Sequence, residues 1–289
     1  MQTQKCALVL EGGGMRGAFT AGIIDYFLRN GIYFEHVIGV SAGANNGANY
    51  TSRQRLRNKK LFTELVEDER YMGVKNLIKE GNYFGMDFLF HQLPHEILPF
   101  DYNSFRNSNT NLKVAATECE SGEVKFFSPQ YFDQLSKVDK VFKASSSLPL
   151  VSKPVEIDNK LYLDGGIRDS IPVKEAVNDG YQKVVVILTR EKGYRKTPVK
   201  AKFLLDLFLH EYPNLVDDLK TRHEVYNETL DYILKKEKSN DFFVFRPQSI
   251  EINRFSKDAK QLENIYFSAS EMAESRSEEL DKWLKKIKE

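Results

Sequence analysis

Cys6-Ala7-Leu8-Val9-Leu10 runs into Glu11-Gly12-Gly13-Gly14, after which Met15, Ala18, Phe19, Gly22, Ile23, Tyr26 and Phe27 recur at helical spacing as far as Asn30-Gly31. A second short apolar run, His36-Val37-Ile38-Gly39-Val40, then ends in Ser41-Ala42-Gly43. Strand, glycine turn, helix and strand make a βαβ unit. That unit requires a parallel sheet with a right-handed crossover, so the chain reads as an α/β protein. Both strands are predominantly apolar, as expected when helices cover both faces of a parallel sheet.

Further along, residues 53–98 are helical in pattern but broken by Gly73, Gly81 and Gly85, and read as an insertion or cap over the sheet. Lys113 to Cys119 and Val124 to Phe127 flank Glu120-Ser121-Gly122 as a hairpin, and Val155-Glu156-Ile157 flanks Asp158-Asn159 with Leu161-Tyr162-Leu163 in the same way. Val184 to Leu188 supplies another buried strand. Beyond residue 200 two long amphipathic charged segments, 201–236 and 257–288, are separated by the strand-like Phe242-Phe243-Val244-Phe245 and by Pro247. The 289 residues suffice for a large core without disulfides or metals. With 42 basic against 41 acidic residues, the balance argues against a nucleic-acid binder. Two cysteines without C-x-x-C spacing fit a reduced interior, and no run approaches the roughly 18–20 apolar residues of a spanning helix, so a cytoplasmic location is expected.

Gly39-Val40-Ser41-Ala42-Gly43 has the G-x-S-x-G form of a nucleophile elbow, in which glycines let a strand and the following helix approach around an exposed serine. Gly12-Gly13-Gly14 lies where a strand hands over to a helix N-terminus, whose unpaired N–H groups suit a phosphate or the oxyanion formed when a nucleophile attacks an ester. Residues 12–17 also fit G-x-G-x-x-G. A dinucleotide site would want an acidic residue at the end of the second strand, where Ser41 stands; Glu35 precedes that strand. No histidine is well placed as a base, since only His210 and His223 follow residue 95 and both lie in a charged helical segment. Asp164, between Leu163 and Gly165-Gly166, is the better candidate, with a turn-capping aspartate as its other reading.

Glu11-Gly12-Gly13-Gly14-Met15-Arg16-Gly17, Gly39-Val40-Ser41-Ala42-Gly43 and Asp164-Gly165-Gly166, in that order, resemble the three signatures of the patatin-like phospholipases. Ala144-Ser145-Ser146-Ser147-Leu148-Pro149 with Lys153-Pro154-Val155 is similar to the family as well; the resemblance covers residues 6 to about 190. It implies a three-layer α/β/α fold with a mainly parallel central sheet and a Ser-Asp dyad in which Ser41 is nucleophile and Asp164 base. The loop Gly12, Gly13 and Gly14 would be the oxyanion hole, Gly39, Ala42 and Gly43 the elbow, and Arg16, Gly17, Gly165 and Gly166 motif support. Glu11 stands where the family often has aspartate. The domain reading is a catalytic unit over 1–195 and a helical extension with one short strand over 196–289, packed on the same domain.

The expected function is hydrolysis of carboxylic esters of phospholipids or lysophospholipids, without cofactor, metal or nucleic-acid partner and with peripheral contact to membrane lipid. Acyl transfer to another alcohol and non-catalytic lipid binding on the same scaffold are the alternatives. Arg53, Arg55, Arg57, Lys59 and Lys60 read as a solvated helix face rather than a site for anionic head groups. Pro94 is expected to break the helix that would align His91 with His95 on a metal, Arg16 to anchor the first helix, and the stripe Phe203, Leu204, Leu207, Phe208 to be core.

Overall fold

In the computed structural model, which describes residues 4–200 and 202–286, the first apolar run divides between two layers. Cys6, Leu8 and Leu10 pack into one core and Ala7 and Val9 into another, as the period of two along a strand demands. The chain runs β1 (Gln4–Leu10), α1 (Gly17–Arg29), β2 (Phe34–Val40), α2 (Ala42–Thr51), α3 (Arg57–Thr63), α4 (Val74–Glu80), α5 (Tyr102–Arg106), β3 (Asn111–Glu118), β4 (Val124–Phe127) and α6 (Leu135–Ser145). It continues through β5 (Val155–Ile157), β6 (Lys160–Asp164), α7 (Val173–Asn178), β7 (Val184–Ile187), α8 (Lys202–Phe208), α9 (Pro213–Lys238), β8 (Phe242–Phe245), α10 (Ala259–Ser275) and α11 (Ser277–Lys285).

The strands form a single sheet in the order β5-β6-β3-β2-β1-β7-β8, with β4 also paired to β3. From β3 to β8 every pairing is parallel, whereas the pairings made by β4, β5 and β6 at one edge are antiparallel. One face is covered by α1, α2, α6, α10 and α11, through residues such as Phe27, Ala44, Val141, Ala269 and Trp283, and the other by α7 and α9, through Val173, Tyr226 and Ile233. The fold is therefore a three-layer α/β/α sandwich on a mostly parallel sheet, with a helical C-terminal region.

Register carries the site. Leu10 pairs with Gly39, so the loop after β1 and the turn after β2 open side by side at the same sheet edge. Val40 pairs with Ala115 across β3, and the next β3 residue, Ala116, pairs with Asp164 of antiparallel β6. Ser41 and Asp164 are thus delivered to neighbouring positions from opposite strand directions.

The chain beyond residue 196 extends the sheet through β8 and lays α10 along α1. A Cβ on Gly22 would stand 2.1 Å from the carbonyl oxygen of Tyr266 in α10. Gly22→Ala is expected to cost about 1–3 kcal/mol of stability through this overpacking, read as a lower urea midpoint. An unchanged midpoint would mean the two helices are not docked this closely.

Three expectations about helices are corrected. The segment 201–236 is split around Leu209–Tyr212, with Pro213 opening α9, and 257–288 is split at Arg276, whose guanidinium binds the Val244 carbonyl and Glu279. Pro94 does not break its helix: Phe88–Ile97 is a π-helix, whose wider turn leaves room for the ring, and the His91 and His95 ring centroids lie 5.2 Å apart. The α8 stripe is not core, since Phe203, Leu207 and Phe208 are 69%, 61% and 66% exposed and Leu205 turns inward instead. Among the described residues no helix is long and apolar enough to cross a membrane.

Candidate active site

Ser41 sits between β2 and α2 with φ 55° and ψ −124°, a left-handed conformation that a non-glycine residue adopts only when its surroundings impose it. Those surroundings are tight on both sides. A Cβ on Gly39 would lie 2.6 Å from Ala44 Cα, and one on Gly43 would lie 2.4 Å from the Leu10 carbonyl oxygen, so neither position admits a side chain without moving backbone. The Ser41 N–H donates to Ser145 Oγ at 2.9 Å, and Asn45 Nδ2 donates to both the Ser41 carbonyl and Ser146 Oγ at 3.0 Å. The end of α6 therefore clamps the turn, a role that its serine run did not reveal by residue type alone.

Asp164 is 3% exposed and ends β6. Its Oδ1 accepts from the Gly166 N–H at 2.7 Å, while buried Oδ2 has no hydrogen-bond partner. Burial raises the pKa of this carboxyl above its ordinary value; the nearby Ser41 hydroxyl, the Gly166 N–H and the charges of Arg222 and Arg254 act in the lowering direction. The Ser41 hydroxyl therefore lies close enough to the carboxylate to favour its charged form.

The glycine loop is only partly available. The Gly12 N–H is committed to the Ser170 carbonyl at 3.2 Å, which takes Gly12 out of the loop's free donors. Among the described residues the Gly13 and Gly14 amides have no acceptor. Gly14, at φ +57°, is held under Arg254, whose carbonyl accepts the Met15 N–H at 3.3 Å. Glu11 is buried and pins the loop: Oε1 accepts from Tyr226 O–H at 2.7 Å and Oε2 from the Thr189 N–H.

Two cavities meet at Ser41. The larger encloses about 1060 Å³ of empty space including its mouth and is walled by apolar side chains such as Leu61, Phe62, Leu89, Phe90, Phe142 and Leu148. The 53–98 segment supplies much of that wall. The smaller, about 520 Å³ including its mouth, is polar and holds Glu11, Asp164 and the basic side chains of Arg16, Arg190, Lys196, Arg222 and Arg254. Ser41, Gly14 and Leu148 line both.

Other sequence candidates divide between the cavities and positions away from them. His210 and His223 line neither cavity, and His95 Nε2 is 3.0 Å from Asp139 Oδ2 and stacks on Tyr102. Arg16 is buried in the polar cavity rather than simply anchoring α1. The basic run is only in part a solvated face: Arg55 and Lys60 are exposed, with Arg55 paired to Asp25 and Lys59 to Glu263, but Arg57 is buried and donates to Leu98 O and Asn49 Oδ1. The basic cavity itself was missed. Its sequence signal is Arg222, which interrupts the buried stripe Leu215, Leu219, Tyr226, Thr229, Ile233 of α9 at a position where a core helix carries an apolar residue.

A family model described as patatin-like phospholipase matches residues 8–177, and a second, a domain of unknown function (DUF6363), matches residues 212–285. The chain is 31% identical over 231 residues to the uncharacterized protein YjjU of Escherichia coli (strain K12), an alignment covering 77% of this chain and 63% of that protein's length. Among solved structures, VipD from Legionella pneumophila is similar with a TM-score of 0.43 and 13% identity, over 94% of this chain and 67% of that one. The first family model takes in the glycine loop, the serine elbow and Asp164, spanning more than half of the chain: the chain belongs to the patatin-like phospholipase family, a family of lipid hydrolases.

Proposed function

We propose that this protein is a serine lipid acyl hydrolase that cleaves carboxylic esters of phospholipids or lysophospholipids through a Ser41–Asp164 dyad. The observation that carries the reading is the position of Ser41 at the junction of an apolar cavity and a polar one, with a buried, unpartnered carboxylate oxygen beside it. Asp164 takes the Ser41 proton as Oγ attacks the ester carbonyl. The Gly13 and Gly14 amides, with the Ala42 amide at the start of α2, receive the developing oxyanion. The acyl chain lies in the apolar cavity, and the alcohol leaves with the proton returned by Asp164. Water, deprotonated by the same carboxylate, then releases the fatty acid. A carboxylate is a weaker base than imidazole, so this site suits esters better than amides.

Incubation with phospholipid and lysophospholipid vesicles is expected to release free fatty acid, detected by mass spectrometry. An added alcohol such as glycerol distinguishes hydrolysis from transfer, because transfer yields the new ester in place of the acid. Failure to release acid from any carboxylic ester, with or without an acceptor, would sink the reading.

A further inference from the structure

We infer that the polar cavity beside Ser41 is a binding site for a phosphomonoester, and that the residues beyond the matched catalytic segment select lipid esters bearing that head group. This rests on the reading of Ser41 as the nucleophile of a lipid hydrolase.

Five basic side chains, Arg16, Arg190, Lys196, Arg222 and Arg254, line one small cavity. The carboxylates there are Glu11 and Asp164, and both Glu11 oxygens are already occupied, by Tyr226 O–H and the Thr189 N–H. Among the described residues none of the five basic groups is in an ion pair. Arg16 Nε and Arg222 Nε are buried without partners, and Arg222 makes a 3.2 Å bond to Ser170 Oγ through Nη2. Packing cations together out of water is costly unless an anion compensates them. Lys196 shows that cost: burial, then the charges of Arg222, Arg254 and Arg16, press its pKa down to about 6, with Glu11 opposing them.

The anion that fits is set by charge, size and position. A phosphomonoester carries about −1.5 to −2 charge at neutral pH and three acceptor oxygens, which suits guanidinium donors converging from several directions. A zwitterionic head group would place a quaternary ammonium among four guanidinium groups. The cavity opens onto Ser41, so a glycerol phosphate can sit in it while its acyl ester lies at the nucleophile and its chain in the apolar cleft. Arg190 and Lys196 come from the connection between β7 and α8, Arg222 from α9 and Arg254 from the segment before α10. Arg222 and Arg254 fall inside the region matched by the domain of unknown function. On this inference that region completes the substrate site.

The test compares 1-acylglycerol 3-phosphate with 1-acylglycerol of the same chain, and measures thermal unfolding with glycerol 3-phosphate and with inorganic phosphate. Wild type is expected to favour the phosphorylated lipid at least tenfold in kcat/KM. That ratio is expected to fall toward one in Arg254→Gln and in Lys196→Met, each checked for a native circular dichroism spectrum. Glycerol 3-phosphate is expected to raise the wild-type Tm more than the same concentration of inorganic phosphate, and to do so less in Lys196→Met. A ratio near one in wild type, or one unmoved by both substitutions, overturns the inference while leaving ester hydrolysis intact. Equal stabilisation by the two anions with no lipid preference assigns the cavity to free phosphate and also overturns it. Loss of hydrolysis toward every ester would instead refute the parent reading, and absence of any phosphate stabilisation refutes the cavity assignment independently of activity.

Discussion

Ser41→Ala is expected to abolish ester hydrolysis, by a factor on the order of 10⁵ or more, and to prevent labelling by a fluorophosphonate probe. Among the described residues, the serine hydroxyls around the elbow are all engaged. Ser145 Oγ is engaged by the Ser41 N–H and Ser146 Oγ by Asn45, while the hydroxyls of Ser147 and Ser170 donate to the carbonyls of Lys143 and Gly166. The elbow should survive the change, because its backbone is held by Gly39, Gly43 and the α6 serines rather than by the Ser41 side chain. Tm is therefore expected to stay close to that of wild type, which separates loss of chemistry from loss of fold. Probe labelling that persists in Ser41→Ala, or hydrolysis near the wild-type rate, would remove Ser41 from the mechanism.

The features that announce this site in the sequence are those encoded locally. A run such as Val37-Ile38-Gly39-Val40 must be buried on both faces, and an elbow requires glycine where Ala44 and Leu10 approach, so both leave a readable trace within a few residues. The hairpins around 120–122 and 158–159 are legible for the same reason. What escapes is non-local. That antiparallel β6 brings Asp164 level with Ser41 depends on pairing with Ala116, nearly fifty residues away in sequence. The formal net charge of +1 conceals five basic side chains drawn from four separate parts of the chain into one cavity. Amphipathic spacing also misleads in α8, where Leu205 rather than the larger apolar stripe faces inward. In Arg53–Lys60, charge suggests a solvated face, yet Arg57 is buried against Leu98 and Asn49.

Asp164→Asn is expected to reduce hydrolysis by roughly 10²–10⁴-fold and, at neutral pH, to make the protein more stable. The activity loss follows from removing the base: an amide accepts hydrogen bonds but takes no proton from Ser41. The stability gain follows from the direction of the carboxyl shift. Burial raises the Asp164 pKa above the ordinary 3.8, so the folded protein holds this proton more tightly than the unfolded chain does. That contribution to stability is fully present below the unfolded value and is lost as pH rises through the raised folded value. At pH 7 the charged carboxylate is consequently a burden on the fold, with Oδ2 buried and unpartnered. Asparagine keeps the acceptor for the Gly166 N–H and carries no charge, so its Tm advantage should be present at pH 7 and shrink as the wild-type carboxyl protonates in acid. The same titration should appear in wild-type catalysis as a fall in kcat/KM on the acid side, centred above the ordinary carboxylate range. A variant that is less stable than wild type at pH 7, or one that retains full activity, would show that Asp164 serves the turn at Gly165-Gly166 and not the chemistry. The trade of stability for a poised base is what separates a catalytic aspartate from a capping one at this position.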